Sequence, residues 1–359
     1  MDLTSYRTLG RSGLRVSPLG LGALTFDDGS WGSPTDDSFA ILDQYIDLGG
    51  NFIDTANQYN GGASELTLGA YFDRHPDRRD GIVLATKFGG TLRPGDPNAG
   101  GAGRKAIVAQ LDGSLRRLRT DYVDLYWMHQ WDRHTPVEET LSTLDDLVRS
   151  GKVRYVGFSN TPAWWVAQAV TTAVFRGWEP ACALQIQYSL LARTAEGEQL
   201  GAARALGLGI TPWGALASGL LSGKYSRTCT RPEDSARARW TDPQLGERTF
   251  AVLDLLEDVA RDNGTTVARA ALAWVRQQSD VTSTILGART LSQLRDNLSS
   301  LSVVLTDAQM SRLSAATEPA REYPYPFMDV VGIGFQQGET TINGIAPFHV
   351  PAPEEDVTT

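Results

Sequence analysis

The sequence predicts an α/β fold, a (β/α)8 TIM barrel, from three observations. The chain has 359 residues and 41% hydrophobic content, enough to bury a large core, and barrels of this size commonly fold as one domain. From Ser17 onward, apolar runs typical of strands alternate with segments of helical period, which indicates repeated βα units and a parallel sheet. There are eight such runs, the number of strands that closes this barrel.

We therefore expect a single domain over residues 1–359, with a barrel core at about 17–305 and a C-terminal helix and arm at 306–359. An N-terminal β-hairpin is predicted within residues 6–17, turning around Gly10 to Gly13. A polar segment from Lys224 to about Gly246 is long for a loop after the seventh strand and is expected to cover a ligand. Gly, Pro and aromatic residues in the tail predict an irregular, ordered arm.

The remaining elements follow in chain order. The predicted strands lie near Leu19, Phe52, Ile82, Val123, Val153, Ala183, Leu208 and Val281. The predicted helices are Thr35–Leu48, Ser64–Arg74, Arg104–Leu118, Pro136–Arg149, Ala163–Phe175, Thr194–Ala205, one near Phe250–Arg261, one starting near Ser292 and Thr306–Ala316. For the fourth helix, Thr135 is expected to cap, Pro136 to begin the first turn and Gly151 to end it.

Charge and hydropathy exclude several classes of function. Acidic residues outnumber basic ones by 42 to 33, for a net charge of −9, so no general affinity for nucleic acid or for an anionic membrane is expected. No apolar run is long enough to span a bilayer, and residues 1–16 lack the apolar core of a signal peptide. These features predict a cytoplasmic protein, and an oligomer is not indicated.

Cysteine and histidine usage argues against a metal centre. Cys182 and Cys229 are the chain's two cysteines, too few for a disulfide framework or a thiolate metal site. None of the four histidines belongs to an HExxH or similar ligand pair. We therefore expect a site with no metal.

Polar residues occupy the C-terminal ends of the predicted strands, where the loops of a barrel form its active face. They are Asp54, Lys87, His129, Ser159 with Asn160, Gln187, Trp213 and Arg289, and Tyr59 joins them from the loop after the second strand. Inward positions of a barrel are usually aliphatic, so this set lies where chemistry is expected.

Four of these residues suggest proton transfer to an oxygen. Tyr59 is a poor acid at neutral pH, and we expect the Lys87 ammonium to lower its pKa. Asp54 can keep Lys87 charged and oriented, and His129 can hydrogen-bond a substrate oxygen. Taken singly, an Asp/Lys pair can serve only to stabilise a barrel, and a His can serve only to bind a backbone carbonyl. Together on adjacent strands they favour a catalytic function.

Six segments carry a resemblance to a known family: NFIDTANQYNGGASE, the Lys of LATKFG, the His of LYWMHQWD, VGFSN, LQIQYSLL and GLLSGKY. In this order and spacing, from Tyr6 to about Leu305, the chain resembles the aldo-keto reductases. The resemblance implies a (β/α)8 barrel that uses NADPH or NADH without a Rossmann domain, and no GxGxxG fingerprint follows a strand here. It also implies that Asp54, Tyr59, Lys87 and His129 are catalytic, with Tyr59 as general acid.

The same resemblance implies a set of cofactor-binding residues. Ser159, Asn160 and Gln187 would bind the nicotinamide carboxamide, and Trp213 would stack on the ring, with core packing as its alternative role. Along the pyrophosphate would lie Gly214, Leu216, Gly219, Leu221, Gly223 and Lys224. Near the adenosine would lie Gly287, Arg289, Gln293 and Asn297.

Arg289 beside a helix N-terminus suits the 2′-phosphate of NADP, so NADPH is expected in preference to NADH. The alternative is a solvated loop arginine. Two residues depart from the family pattern. Asn60 follows the tyrosine where many members have Gly, and Gln293 stands where some have a second phosphate-binding Arg.

The leading hypothesis is an NADPH-dependent reductase of aldehydes or ketones, a reversible reaction with the proton from Tyr59. Its partner would be a small-molecule carbonyl substrate contacted by Trp31, by Trp131 and by the tail at Tyr323 to Phe327. One alternative is a cofactor-binding regulatory or interaction subunit with little turnover. Another is a barrel enzyme of unrelated chemistry.

Overall fold

The computed structural model describes residues 1–27, 32–230, 244–328, 336–338 and 340–344. The chain divides into two compact units, Met1–Thr317 and Glu318–Thr359. The second unit contains a short helical turn at Tyr325–Phe327. All the strands and helices described below belong to the first unit.

An N-terminal hairpin precedes eight parallel strands within the described residues. The hairpin pairs β1 (Arg7–Thr8) with β2 (Arg15–Val16) in antiparallel fashion. The parallel strands are β3 (Leu19–Gly22), β4 (Phe52–Asp54), β5 (Val83–Phe88), β6 (Val123–Met128), β7 (Val153–Ser159), β8 (Ala183–Gln187), β9 (Gly209–Trp213) and β10 (Thr284–Leu286). The hairpin and all eight predicted strands are confirmed.

These eight strands form a nearly closed barrel. Their order is β10-β3-β4-β5-β6-β7-β8-β9, so each strand from β3 to β8 pairs with the next along the chain and β10 pairs with β3. Between β9 and β10 no ladder forms among the described residues, but Ile210 bridges Val281, and Ile210 O accepts hydrogen bonds from Thr282 N at 2.8 Å and from Ser283 N at 3.3 Å. The predicted (β/α)8 fold is confirmed.

Helices alternate with the strands. They are α1 (Thr35–Asp47), α2 (Ala63–Arg74), α3 (Pro76–Arg79), α4 (Arg104–Leu118), α5 (Val137–Arg149), α6 (Ala163–Arg176), α7 (Gln199–Leu206), α8 (Glu247–Asp262), α9 (Val267–Arg276), α10 (Leu291–Leu298) and α11 (Asp307–Ala316). From α1 to α6, leaving out the short α3, the predicted bounds agree with the structure to within one residue.

Several details differ from the sequence prediction. The expected helix from Thr194 is instead a 3-10 turn, Thr194–Glu196, followed by α7 from Gln199. Helices α3 and α9 were not predicted. The expected cap at Thr135 is wrong, because its hydroxyl donates to Asp132 Oδ2 at 2.7 Å and Pro136 takes the N-cap position of α5.

The hairpin closes the N-terminal end of the barrel. Leu9 and Val16 are fully buried and belong to one cluster with Phe52 and Trp127. At Gly10 the backbone has φ +61°, and a Cβ there would lie 2.3 Å from Cys182 O, so this turn requires glycine. With that end filled, the C-terminal ends of the strands remain as the face on which a site can form.

Among the described residues, no helix combines the length and the apolar content needed to cross a membrane.

Candidate active site

Three neighbouring strands deliver the predicted catalytic residues to the C-terminal face of the barrel. Asp54 is the last residue of β4, Lys87 lies near the end of β5, and His129 directly follows β6. Tyr59 opens a 3-10 turn, Tyr59–Gly62, between β4 and α2. The structure therefore brings the four residues together from four separate segments.

The Lys87 ammonium is the centre of this cluster. Its side chain is completely buried, and Nζ donates to Asp54 Oδ2, to Thr55 O at 2.8 Å and to Tyr59 OH at 3.1 Å. An ammonium has three N–H donors, so every donor has an acceptor. These three contacts hold Lys87 in position and stabilise its charged form.

Asp54 is held from its other side by a residue that the sequence reasoning missed. Its carboxylate is almost fully buried, and Oδ1 accepts a hydrogen bond of 3.0 Å from Gln185 Nε2. Side chains alternate along a strand, so Gln185 shares a face of β8 with the predicted residue Gln187. Gln187 itself is exposed at the strand end. The alternation of side chains along β8 was therefore the signal by which Gln185 could have been found from the sequence.

Burial and charge oppose each other in the pKa values of this cluster. Burial favours the neutral amine, yet the pKa of Lys87 is raised because Asp54 and Tyr59 together outweigh burial. Burial raises the pKa of Tyr59, and Lys87 opposes the rise. The sequence predicted a lowered pKa for Tyr59. Lys87 does act on the pKa of Tyr59 in that direction, but burial raises this pKa and is the larger effect.

His129 is held as the neutral imidazole. Burial, together with the nearby Lys87 ammonium, lowers its pKa from 6.5 to about 3. The imidazole lies edge-to-face against Tyr59, with ring centroids 5.6 Å apart. Its Nδ1 is buried and makes no hydrogen bond to any described residue. Buried polar atoms usually have a partner, so this side of the cluster suits a polar ligand.

Asn160 joins the ends of three strands. Its Nδ2 donates to His129 O at 2.8 Å and to Ser159 Oγ at 3.0 Å, and its Oδ1 accepts from Trp213 Nε1 at 3.1 Å. The backbone adopts φ +50°, a conformation that Asn tolerates better than most residues. The structure therefore brings Ser159, Asn160 and Trp213 together beside His129.

The loop after β9 carries the next group of predicted cofactor residues, Gly214, Leu216, Gly219, Leu221, Gly223 and Lys224. Five of its residues have positive φ: Gly214, Ala217, Ser218, Gly219 and Gly223. A Cβ at Gly219 would meet nothing within 4 Å, so the space beside it is open. Some backbone amides of the loop already form hydrogen bonds within the turn, since Gly219 N and Leu221 N donate to Leu216 O.

The predicted adenosine-side residues lie just before α10 and within it. Gln293 Oε1 accepts from Arg289 N at 2.8 Å, and Asn297 Nδ2 donates to Gly287 O at 3.2 Å. Both amides therefore hold the loop in shape. Among the described residues the Arg289 guanidinium has no hydrogen-bond or ion-pair partner, so its charge is not neutralised there.

The residues predicted to contact substrate are distributed differently. Trp31 lies outside the described residues. Trp131 is half-buried and packs edge-to-face against Trp164, with ring centroids 5.5 Å apart. Tyr323 and Phe327 belong to the second unit and are exposed.

The structure gives a reason for Asn60. Its backbone is left-handed, with φ 52° and ψ 43°, the conformation that favours Gly or Asn. The side chain adds what Gly lacks, because Nδ2 donates to Leu24 O at 2.8 Å and to Phe26 O at 3.1 Å. Asn60 thus ties the turn that carries Tyr59 to the loop after β3.

Comparisons with known proteins agree with this geometry. A family model described as the Aldo/keto reductase family matches residues 18–318. An uncharacterized oxidoreductase of Bacillus subtilis is 40% identical over 319 residues, covering 86% of this chain and 94% of the relative. An aryl-alcohol dehydrogenase of Pestalotiopsis microspora is 34% identical, covering 89% and 84%. Norsolorinic acid reductase B of Aspergillus parasiticus is 35% identical, covering 94% and 90%.

Substitution of Asn60 should separate backbone strain from the side-chain bonds. Asn60→Gly keeps the left-handed turn but loses both bonds, and we expect it to cost about 1 kcal/mol of unfolding free energy. Asn60→Ala adds strain of about 1–2 kcal/mol. Urea unfolding should rank the proteins as wild type, Gly variant, Ala variant. The exposed Asn98→Ala is the control, and an Ala variant as stable as the Gly variant would contradict the assignment.

Proposed function

The chain belongs to the aldo/keto reductase family, and on that premise we propose that this NAD(P)H-dependent oxidoreductase uses NADPH to reduce an aldehyde or ketone while Tyr59 donates the proton. The observation that carries the proposal is the buried Lys87 ammonium, which binds Asp54 and Tyr59 at once and lies beside His129. A structural ion pair alone requires neither the phenol nor the neutral imidazole.

The residues around the cluster have the chemistry to hold a nicotinamide dinucleotide. Ser159 and Asn160 offer polar groups for the carboxamide, and the Trp213 indole offers a face for the ring. The glycines of the loop after β9 leave room for a pyrophosphate, and Arg289 offers a cation for a phosphate. The bound reduced cofactor supplies the hydride.

The chain's own residues account for the proton and for the charge. The carbonyl oxygen of the substrate accepts hydrogen bonds from Tyr59 OH and from the neutral His129 imidazole. As the oxygen gains negative charge, Tyr59 transfers its proton to it. Lys87 stabilises the resulting tyrosinate, and Asp54 keeps Lys87 protonated. In the reverse direction the tyrosinate accepts the proton of the alcohol.

Arg289 supports NADPH as the cofactor. Its guanidinium follows β10 and lies two residues before α10, whose N-cap Thr290 accepts from Gln293 N. A guanidinium near a helix N-terminus favours a phosphate group. The 2′-phosphate is the group that distinguishes NADPH from NADH.

Removal of the Tyr59 hydroxyl should abolish most of the turnover. We expect Tyr59→Phe to lower kcat for a simple aromatic aldehyde by about 100-fold to 10,000-fold, because the proton donor is lost. Consumption of NADPH, followed by absorbance, measures the rate. Tyr126→Phe, which removes a buried phenol on β6 outside the cluster, is the matched control. Full activity in Tyr59→Phe would rule out this role.

The rate of reduction should show no histidine titration. Since the pKa of His129 is lowered to about 3, the imidazole stays neutral at all higher pH values. Tyr59, whose pKa is raised, stays protonated until strongly alkaline pH. We therefore expect kcat/KM to be flat between about pH 5 and 8. A transition near pH 6.5 that disappears in His129→Gln would contradict a neutral His129.

Arg289 should set the choice between cofactors. We expect Arg289→Ala to lower the ratio of NADPH to NADH affinity about tenfold or more, because one charge-assisted bond to the 2′-phosphate is lost. Fluorescence titration with each cofactor measures the ratio. Arg295→Ala is the control, since this exposed arginine on α10 binds Gln44. An unchanged ratio in Arg289→Ala refutes the phosphate assignment.

A further inference from the structure

A second buried charge lies behind the catalytic cluster. Glu65 belongs to the first turn of α2, and its side chain is completely buried. Its Oε1 accepts a hydrogen bond from Thr86 Oγ1, and its Oε2 accepts one of 2.7 Å from Arg117 Nε. A carboxylate is costly to bury unless it is paired and hydrogen-bonded, and Glu65 meets both conditions. The proposed reaction gives none of these three residues a role.

Thr86 connects Glu65 to the strand that carries Lys87. Thr86 directly precedes Lys87 on β5, and successive side chains of a strand point to opposite faces. Since Lys87 binds Asp54 inside the barrel, Thr86 points outward to the surrounding helices, where its hydroxyl meets Glu65 on α2. Glu65 therefore binds β5 at the residue next to Lys87.

Glu65 also lies beside the turn that carries Tyr59. The turn, Tyr59–Gly62, is followed directly by α2, whose third residue is Glu65. On the inner side of β5, Lys87 Nζ donates to Tyr59 OH at 3.1 Å. On the outer side, Thr86 donates to Glu65. The turn and β5 are thus joined from both faces of the strand, and the outer bond sets the distance that the inner bond spans.

Arg117 supplies the opposite charge from α4 and packs against the same turn. A Cβ at Gly62 would lie 3.1 Å from Arg117 Cδ, so the last residue of the turn leaves room for the arginine side chain. At Gly69 a Cβ would lie 2.1 Å from Arg117 O, and only glycine allows α2 and α4 to approach so closely. This approach places the guanidinium within reach of Glu65.

Ser64 holds the start of α2 independently of Glu65. Its hydroxyl is fully buried, donates to Ala23 O at 2.7 Å and bonds to Thr55 Oγ1 at 2.7 Å. Neither bond involves β5 or α4. We therefore expect the helix to stay in place when Glu65 or Thr86 is changed, so that the change acts on the contact between the turn and β5.

Resting on the proposed carbonyl reduction, we propose that Glu65 is a positioning residue, which holds Tyr59 OH against the Lys87 ammonium by binding Thr86. Arg117 keeps Glu65 ionised and oriented for this bond. Proton transfer depends on hydrogen-bond geometry, and a misplacement of about 1 Å can slow a reaction about 100-fold. Glu65 acts on the reaction only through Thr86 and through the turn.

Thr86→Val removes the bond to β5 and keeps the ion pair. We expect kcat for a simple aromatic aldehyde to fall about threefold to tenfold, while KM and the NADPH affinity change less than about twofold. Thr86→Ser keeps the hydroxyl and should restore kcat. The matched control is Thr143→Val, which removes a buried threonine hydroxyl on α5 that donates to Glu139 O at 2.7 Å.

Glu65→Gln tests the charge. The carboxamide keeps the shape of the side chain but not its charge, so we expect kcat to fall about tenfold, again with little change in KM. Asp124→Asn is the control, because it breaks another largely buried ion pair, with Arg79 at the N-terminal end of the barrel. It should lower Tm and leave kcat unchanged.

The solvent deuterium isotope effect on kcat separates positioning from stability. If Tyr59 is displaced from Lys87, proton transfer becomes slower and limits the rate more. The isotope effect should therefore increase in Thr86→Val and in Glu65→Gln, and it should stay at the wild-type value in Thr143→Val and in Asp124→Asn. A loss of stability alone does not change this effect in the folded enzyme.

The outcomes distinguish this inference from the proposed function. If the wild type turns over no carbonyl compound, the proposed reduction is wrong, and the inference with it. If the wild type is active and Thr86→Val keeps its full kcat and isotope effect, the reduction stands and the positioning role is overturned. An equal loss of kcat in Thr143→Val also overturns it. Should Glu65→Gln fail to fold, Thr86→Val decides, because the ion pair of Glu65 with Arg117 is intact in it.

Discussion

The buried contact between Lys87 and Asp54 is the constraint on which the rest of the site depends. Burying either charge alone is costly, and breaking such a pair typically costs about 3–5 kcal/mol. Here the remaining bonding capacity is also used, by Thr55 O and Tyr59 OH on one side and by Gln185 on the other. The barrel supports this arrangement because its strand ends converge, and three strands can then direct polar groups to one point.

Most of the fold followed from periodicity, and the exceptions have local causes. Helix α9, with the sequence VARAALAWVR, has eight buried residues of ten. It also follows α8 directly, without the intervening strand that the predicted alternation of strands and helices requires. Thr135 had the chemistry of an N-cap, but the tertiary contact with Asp132 took its hydroxyl. Neither the packing around α9 nor the contact between Thr135 and Asp132 can be predicted from the local sequence.

The candidate site was predictable as far as strand ends could be located. Asp54, Lys87 and His129 needed only the pattern of alternation and the place where each strand stops. Gln185 needed the register of β8 against Asp54, which lies 131 residues away in sequence. The direction of the Tyr59 pKa needed the degree of burial, since the ammonium and the loss of solvent act in opposite senses. The sequence identifies the groups that interact with Tyr59, but the packing around Tyr59 decides whether the ammonium or burial has the larger effect on its pKa.

The site divides into a buried part and an open part with different physical requirements. Charges are effective when water is excluded from them, and Lys87 and Asp54 are accordingly sealed at the ends of strands. Gln130, Trp131 and Gln199 lie beyond the strand ends and line an open cavity. Asn160 connects the two parts, because it lines the cavity and also bonds to His129 O and to Trp213. Loops tolerate change better than strands do, so residues that line the cavity can be exchanged while the charged cluster keeps its geometry.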